Sequence, residues 1–310
     1  MMQMLKVSSS PHIRSRTSTD KIMMTVIISL MPCLFAGTYF FGFRALAVCL
    51  ACTLGAVVCE LVLCNILSHS GERDLSAVVT GLLLGLSLPV TLPIWQAVLG
   101  GMLATGLFKQ ALGGIGKNPV NPAIASRVVM LLSFGEMASY GFPDNIDTVS
   151  GATPLSLLRD GEVYGIGKLF FALRGGCIGE TCTLAILAGF LILLLTGVIS
   201  PHVTASYVGT VFLTSLFYEN FDFYFALEWC LAGSVLFGAI YMVTDYVSSP
   251  TTRRGQALYG ALCGFLTVVI RLYGLYPEGV SFAILLGNFA VPVIDAFVKV
   301  KVFGVEKKHV

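Results

Sequence analysis

Long apolar runs alternate with short polar segments along almost the whole chain. An uninterrupted apolar run of about 20 residues is long enough to cross the ~30 Å hydrocarbon layer of a membrane as a helix. The pattern therefore predicts an all-α polytopic membrane protein with about ten transmembrane helices. These helices are expected at about 23–43, 45–67, 77–92, 94–112, 119–134, 182–199, 203–218, 225–244, 256–273 and 280–298.

Prolines interrupt several of the predicted helices. The third is short for a membrane span and contains Pro89 and Pro93, and the eighth runs into a polar segment that reaches Pro250. A proline removes a backbone hydrogen bond, so the freed carbonyl groups must be satisfied by protein or must line a cavity. Broken helices of this kind are typical of transporters that bind ligands near the middle of the membrane.

A weak internal repeat relates two parts of the chain. Residues 81–130 and 241–290 share a helix that ends in a proline break, a glycine-rich helix and a polar break into another helix. Five helices in each half is an odd number, so the two copies are expected to be inverted across the membrane. At a constant offset, Val120, Ala123 and Ile124 match Val280, Ala283 and Ile284.

Composition and charge agree with membrane insertion and suggest an orientation. Of the 310 residues, 56% are hydrophobic and 12% are charged, whereas soluble domains carry about 25% charged residues. Most lysines and arginines lie on one side of the predicted helices, which places both termini in the cytoplasm. The expected divisions are a lead at 1–22, a first five-helix half at 23–134, an outer loop at 135–181, a second five-helix half at 182–298 and a cytoplasmic tail at 299–310.

The expected outer loop contains Asp147-Thr148-Val149-Ser150-Gly151-Ala152-Thr153, followed by Pro154. Thr153 is expected to cap a short helix, because Pro154 suits the first helical position. The small residues before Thr153 allow a bulky group to approach its hydroxyl, and the N–H groups of a helix N-terminus favour a phosphate. A capped loop helix without any ligand is the alternative interpretation.

Ionisable residues within or at the ends of the predicted helices are candidates for an ion path. A charged group in the membrane costs at least a few kcal/mol unless it is paired or hydrated. Glu60 lies deep in the second helix, and Asp245 lies where the eighth helix breaks. For Asp295 the alternative is an interfacial ion pair with Lys299 at i+4. The full set is Glu60, Arg127, Glu228, Asp245 and Asp295.

A second polar break, Gly113–Ala123, contains glycines and two Asn-Pro steps. Asn118 and Asn121 offer amide donors and acceptors at the mouth of a helix, which suits a heteroaromatic ligand. The segment lacks the serine or threonine of a phosphate-binding P-loop and follows no strand. A simple re-entrant turn is an equally good interpretation of this segment.

Metal and catalytic motifs are missing from the sequence. Most of the nine cysteines fall inside apolar runs, where they are expected to pack as small residues between helices. Cys177 and Cys182 either pair or stay reduced. The four histidines lie in predicted loops or tails, which argues against haem bound between helices. We therefore expect no metal site, no catalytic residue that acts alone and no nucleic-acid partner.

The heptapeptide that ends at Thr153 resembles the flavinylation motif D-x-x-S-G-A-T. Other segments of the chain resemble the D-subunit family of the Rnf complex, an ion-translocating ferredoxin:NAD⁺ oxidoreductase. The B subunit of the Na⁺-translocating NADH:quinone reductase is a related protein that usually has a longer N-terminal extension. The resemblance covers essentially the whole chain, and it rests on Ser8–Ile13, Gly113–Ala123, Asp245–Thr252, Tyr276–Val280 and Pro292–Asp295.

The resemblance implies cofactors and site residues. Thr153 would carry FMN through a phosphoester that a dedicated flavin transferase forms. Asn118 and Asn121 match positions that in the related quinone reductase lie near a non-covalent riboflavin. The residues implied in recognition around Thr153 are Asp147, Ser150, Gly151 and Ala152, and the acids implied in cation movement are Glu60, Asp245 and Asp295.

The function implied is that of a membrane flavoprotein subunit in the bacterial inner membrane. It would couple electron transfer between ferredoxin and NAD to the translocation of Na⁺ or H⁺. Its partners would be the other Rnf subunits, including an iron–sulfur membrane pair and a second FMN subunit. The alternative is a solute channel or transporter with inverted repeats and no redox cofactor. A purely structural scaffold is disfavoured, because acids inside the membrane are costly.

Overall fold

The computed structural model describes residues 18–66, 75–138, 140, 154–159, 161, 164–171, 175–274 and 278–299. Within these ranges the regular structure is helical, and a helix lies at each of the predicted positions. The first six α-helices are α1 (Thr19–Phe41), α2 (Phe43–Ile66), α3 (Ser76–Leu86), α4 (Ile94–Thr105), α5 (Pro122–Ser133) and α6 (Pro154–Arg159). The others are α7 (Ile166–Phe170), α8 (Thr183–Leu195), α9 (Pro201–Tyr218), α10 (Phe223–Leu231), α11 (Val235–Phe237), α12 (Arg253–Tyr273) and α13 (Val280–Phe297).

Four helices, α1, α2, α12 and α13, are long and apolar enough to cross a membrane. The bent pair formed by α10 and residues 235–242 would make a fifth span, and α3, α5 and α8 are shorter apolar helices. The chain is therefore a multi-pass membrane protein. The count of about ten spans stays a prediction.

The third predicted helix is shorter than expected. It ends at Leu86, and Ser87–Pro93 is irregular. The guanidinium of Arg44 donates hydrogen bonds to the Val90 and Thr91 carbonyl groups at 3.0 and 3.1 Å. These bonds satisfy carbonyl groups that the broken helix leaves free.

The eighth predicted helix is bent by 64° between α10 and α11. Gly233 adopts a φ of +63° at the bend, a conformation that side chains with a Cβ rarely adopt. Arg271 donates hydrogen bonds to the carbonyl groups of Trp229 at 2.7 Å and Ala232 at 2.8 Å. A buried cation thus caps the C-terminal end of α10, where the helix dipole is negative.

Glycines allow close helix packing in both halves. A Cβ on Gly101 of α4 would collide with the Cys52 carbonyl oxygen of α2. In the second half, a Cβ on Gly260 of α12 would lie 2.6 Å from the Val203 carbonyl oxygen of α9. Small residues at such crossings are typical of membrane helices. The second and fourth helices of each predicted half therefore pack closely through a glycine, and the inverted repeat stays a prediction.

The end of the expected outer loop is not a solvated loop. Residues 175–181 are almost entirely buried, and the Ile178 N–H donates to the Leu88 carbonyl group at 3.1 Å. A Cβ on Gly179 would lie 2.7 Å from the Leu86 side chain. The backbone of these residues therefore packs against the broken end of α3, and the boundary expected at residue 181 stays a prediction.

Candidate functional site

The flavinylation motif itself, with Asp147, Ser150, Gly151, Ala152 and Thr153, lies outside the described residues. The structure begins again at Pro154, which is the first residue of α6 as predicted. Leu155 and Leu158 of this helix are buried against the body of the protein. Arg159 donates to the Gly274 carbonyl group at 3.1 Å, just after the end of α12. The residue that follows Thr153 is thus held in a defined position.

A small cavity of about 20 Å³ lies beside the start of α6. Its walls include Pro154, Tyr140, Glu180 and Glu278. A volume of this size has room for about one water molecule. Two carboxyl groups therefore lie next to the segment that leads to Thr153.

These carboxyl groups belong to a buried charge cluster. Arg127 of α5 forms an ion pair with Glu278, and it donates to the Cys177 sulfur at 3.1 Å. The backbone N–H of Cys177 donates to Glu180 Oε1 at 2.7 Å. Arg127 is only 2% exposed and Glu278 7%. The ion pair joins the two halves, because its members are separated by about half of the chain.

Burial and charge act together on the pKa values of this cluster. Burial raises the pKa of the Cys177 thiol well above its usual value, and the negative charges of Glu180 and Glu278 raise it further. Burial also raises the pKa of the Glu278 carboxyl, the Arg127 charge opposes this, and the net direction is upward. The thiol is therefore kept protonated, and Arg127 is the group that favours a charged Glu278.

The donor atoms of Cys177, Glu180 and Glu278 lie within 4.8 Å of one another, a spacing that could suit a metal ion. The guanidinium of Arg127, however, contacts both Cys177 and Glu278. A cation in this place would be repelled by the guanidinium. Arg127 itself supplies the positive charge that these groups require.

A much larger cavity, of about 370 Å³, lies between the two halves of the chain. Its walls come from α1, α3 and the Gly113–Ala123 break in the first half, and from α8 and residues 240–247 in the second. The volume is in the range of small-molecule and cofactor sites, and the walls are mainly apolar with a few polar groups. This cavity is the structure's candidate for a bound heteroaromatic molecule.

The two asparagines of the predicted ligand segment both line this cavity but have different roles. Asn121 caps α5 by accepting from the Ala123 N–H at 3.0 Å, and it donates to the Met242 carbonyl group at 3.3 Å. Asn118 is 7% exposed, and its side-chain oxygen has no hydrogen-bond partner. A buried acceptor without a partner is costly. Asn118 is thus ready for a ligand donor, whereas Asn121 is engaged in structure.

Both π-helices of the described residues border the same cavity. One is Gly106–Gln110 at the end of α4, and the other is Gly238–Met242 after α11. Helices of the π type are rare and occur frequently at functional sites. Their coincidence on one cavity is a second feature, besides its volume, that is typical of a functional site.

The predicted ion-path residues do not form one cluster. Glu60 pairs with Lys109 and accepts from the Gln110 amide at 2.8 Å. Asp245 borders the large cavity and accepts from the Ser248 hydroxyl at 2.8 Å. Asp295 forms no ion pair with Lys299 in the described structure, and one of its carboxylate oxygens is buried without a hydrogen-bond partner. The ion pair considered for Asp295 was therefore wrong.

Glu228 and the cysteines have structural roles. Glu228 accepts hydrogen bonds from the backbone N–H groups of Tyr164 at 3.0 Å and Gly165 at 2.8 Å, just before α7. All nine cysteines are free thiols, so Cys177 and Cys182 do not pair. Cys49 and Cys52 are buried in α2, as expected for residues that pack between helices.

Sequence reasoning missed four of the buried charged residues, namely Lys109, Glu180, Arg271 and Glu278. Lys109 was counted on the expected cytoplasmic side, and Glu180 and Arg271 were counted on the expected outer side. Glu278 lay in a segment that carried the family resemblance but had no role assigned to it. The signal available in the sequence was an ionisable residue next to an apolar run. Such a residue can be recognised as a member of a buried ion pair only when its partner is also known.

The fold and the cavity define a multi-pass membrane protein with a ligand-sized cavity between its two halves. A family model described as the NQR2, RnfD, RnfE family matches residues 6–304. The chain belongs to this family, and the resemblance identified in the sequence is confirmed.

Similarity to individual proteins extends over almost the full length. The chain is 43% identical to the D subunit of the Na⁺-translocating ferredoxin:NAD⁺ oxidoreductase complex of Acetobacterium woodii, with 98% of this chain and 96% of the relative covered. It is 34% identical to the D subunit of the ion-translocating oxidoreductase complex of Cronobacter sakazakii, with 96% and 99% covered. The protein of the same name from Escherichia coli is 32% identical, with 97% and 99% covered.

Proposed function

We propose that this protein is the D subunit of an ion-translocating ferredoxin:NAD⁺ oxidoreductase complex. The similarity to the A. woodii protein over 98% of the chain is the observation that carries this proposal. The protein would not be catalytic alone. Its partners would be the other subunits of the complex, including the iron–sulfur membrane pair and the second FMN subunit, and electron transfer would drive Na⁺ or H⁺ across the bacterial inner membrane.

Covalent FMN on Thr153 is the first cofactor of this proposal. The motif supports it, and so does the position of Pro154 at the start of a helix that is packed firmly against the protein. The phosphoester would carry a negative charge, and the N-terminus of a helix stabilises such a charge by about 0.3–1 kcal/mol where it is exposed. The flavin would supply the redox chemistry, and the protein would supply position and electrostatics.

Replacement of Thr153 by alanine should abolish the covalent flavin, because the hydroxyl that forms the ester is removed. After expression with the flavin transferase, the wild-type protein should fluoresce on a denaturing gel under ultraviolet light, and Thr153→Ala should not. Thr148→Ala, a change of the same type within the motif, is the control and should keep the fluorescence.

Peptide mass spectrometry over residues 137–159 should place the FMN mass on Thr153. A wild-type protein without covalent flavin, obtained from a host that has the transferase, would contradict the proposal. Transport of a solute by the purified chain, unchanged in Thr153→Val, would instead favour a transporter without a redox cofactor.

A non-covalent flavin in the large cavity is the second cofactor. The unpartnered acceptor of Asn118 is suited to a ring N–H, and the apolar walls are suited to the faces of an aromatic ring system. The cavity has a volume of about 370 Å³ and is bordered by both halves of the chain. We assign riboflavin to this site as the occupant that agrees best with the family resemblance.

Replacement of Asn118 by leucine should lower the amount of non-covalent flavin that co-purifies with the protein. A site built to hydrogen-bond a ligand loses about 1–3 kcal/mol of binding when the bond is lost, which is roughly a 5- to 150-fold weaker affinity. Flavin released by acid precipitation and separated by chromatography measures the occupancy. Asn65→Leu, on an exposed position of α2, is the matched control. Equal flavin content in both variants would argue against Asn118 as a ligand.

Glu60, Asp245 and Asp295 are proposed to belong to the cation path. Glu60 and Asp245 lie at or near the large cavity, so they would be close to the second flavin of this proposal. The proposal further includes cytoplasmic termini, an outer flavin loop and two inverted five-helix halves. The similar glycine packing of α2 on α4 and of α9 on α12 supports the repeat.

A further inference from the structure

Lys109 lies in the wall of the large cavity and is 2% exposed. Its ammonium group pairs with Glu60 of α2 and donates to the Ser76 hydroxyl of α3. Of the described residues that border the cavity, Lys109 and Asp245 are the charged ones, and Glu60 is not part of the wall. Lys109 is therefore the cation in contact with both the cavity and Glu60.

The π-helix at Gly106–Gln110 makes this arrangement possible. Consecutive residues of an α-helix point about 100° apart, so they rarely reach the same partner. Here Lys109 and Gln110 both donate to the same oxygen of Glu60. The wider π-turn thus directs the Lys109 and Gln110 side chains towards one carboxylate. Lys109 also borders the cavity at this point.

A cation in this position acts on any occupant whose charge changes. Reduction of a flavin by two electrons with uptake of one proton adds one negative charge, and charges interact strongly where water is excluded. The Lys109 ammonium group stabilises that negative charge. The negative carboxylate of Glu60, which pairs with Lys109, weakens this stabilisation. A positive net charge on the Lys109–Glu60 pair therefore favours reduction of the occupant, and a negative net charge disfavours it.

We propose that Lys109 sets the reduction potential of the molecule in the large cavity and couples it electrostatically to Glu60. The proposal rests on the proposed non-covalent flavin. Lys109 acts by holding a positive charge in position beside the cavity. Coupling between sites is reciprocal. If the charge of Glu60 changes the potential of the flavin, then reduction of the flavin must change the affinity of Glu60 for a cation.

A cycle of charge variants tests this inference. Every variant is made in the full-length protein that also carries Thr153→Ala, which removes the covalent flavin. Titration with dithionite then reports on the non-covalent flavin. Lys109→Gln should make the flavin harder to reduce, and Glu60→Gln should make it easier. Each change should alter the equilibrium constant for reduction about tenfold or more, which is about 30 mV for a two-electron couple.

The double variant Lys109→Gln/Glu60→Gln should restore a potential near that of the parent, because the net charge of the pair is again zero. It also avoids a buried charge without a partner, so it should fold even if a single variant does not. Lys117→Gln, an exposed lysine of the neighbouring loop that does not border the cavity, is the matched control and should leave the potential unchanged.

The outcomes separate the two proposals. If the parent protein releases no non-covalent flavin, the second cofactor is wrong and the role of Lys109 falls with it. If flavin is present but the Lys109 and Glu60 variants do not shift its potential in opposite directions, the role of Lys109 is overturned while the cofactor stands. A double variant that retains the shift of either single variant would also overturn the coupling.

Discussion

Replacement of Arg127 by methionine is expected to destabilise the protein by about 3–5 kcal/mol. The change removes the cation from a buried ion pair and leaves Glu278 beside Glu180 and Cys177, away from water. An isolated buried charge is far more costly than a buried pair, because neither water nor a counterion stabilises it. Methionine keeps most of the volume of the side chain, so the loss reports charge rather than packing.

Unfolding in detergent, followed by temperature and by denaturant, measures this effect. Arg254→Met, on an exposed position of α12, is the matched control and should change the free energy of unfolding by less than about 0.5 kcal/mol. The double variant Arg127→Met/Glu278→Gln should recover a large part of the lost stability, since both charges are gone. Losses that simply add would show that the two residues do not interact.

The pH dependence of the Arg127→Met variant provides a second test of the same pair. Without Arg127, the pKa of Glu278 should rise further above its unfolded value of about 4.3, because burial and the charge of Glu180 raise it and the opposing positive charge is gone. A carboxyl with a raised pKa binds its proton more tightly in the folded state. The variant should therefore be most stable below about pH 4.3 and lose stability as the pH rises through the folded pKa. In the double variant this dependence should vanish.

The positions of the helices could be predicted because membrane burial leaves a strong signal of apolar runs. The break after Leu86 was predicted only as a region, and the bend between α10 and α11 was not predicted, because the break expected in the eighth helix lay at 245–252. Their exact limits depend on distant partners, such as Arg44 for one break and Arg271 for the other. No local pattern reveals which arginine will cap which carbonyl group.

The sites were predictable to different degrees. The motif at Thr153 was identified through the family resemblance and stays a prediction, whereas the asparagines of the Gly113–Ala123 segment were selected by residue type and lie in the wall of the large cavity. The pairing of Lys109 with Glu60 could not be predicted, because it requires a π-turn and a contact across about 50 residues of sequence. Likewise, Arg127 and Glu278 are joined only when the two halves of the fold pack together.

Helix α6 and the large cavity lie near opposite ends of α12. Arg159 of α6 contacts Gly274 after its C-terminal end, whereas the large cavity is bordered by residues 244–247, which precede its N-terminal end. A helix of 21 residues is about 30 Å long. The proposed flavins would thus lie near different faces of the membrane. Electrons that pass between them would require cofactors of partner subunits, which agrees with a protein that acts only in a complex.

Close helix packing gives the second prediction with a large effect. Gly101→Ala should destabilise the protein by about 1–3 kcal/mol or more, because the new Cβ would collide with the backbone of α2 at Cys52. Backbone atoms cannot move aside as a flexible side chain can. Gly260→Ala should have a similar effect at the crossing of α12 and α9, where the Val203 carbonyl oxygen lies in the same relation.

Gly209→Ala in α9 is the matched control, because nothing lies within 4 Å of the position that its Cβ would take. All three changes replace a helical glycine by the best helix former, which by itself favours the helix by up to about 1 kcal/mol. Gly209→Ala should therefore be neutral or slightly stabilising, and the difference from Gly101→Ala isolates the collision. Equal unfolding free energies for the three variants would show that α2 and α4 do not approach as closely as the structure indicates. Comparable losses at Gly101 and Gly260 would mean that the two halves use one packing solution, as a repeat requires.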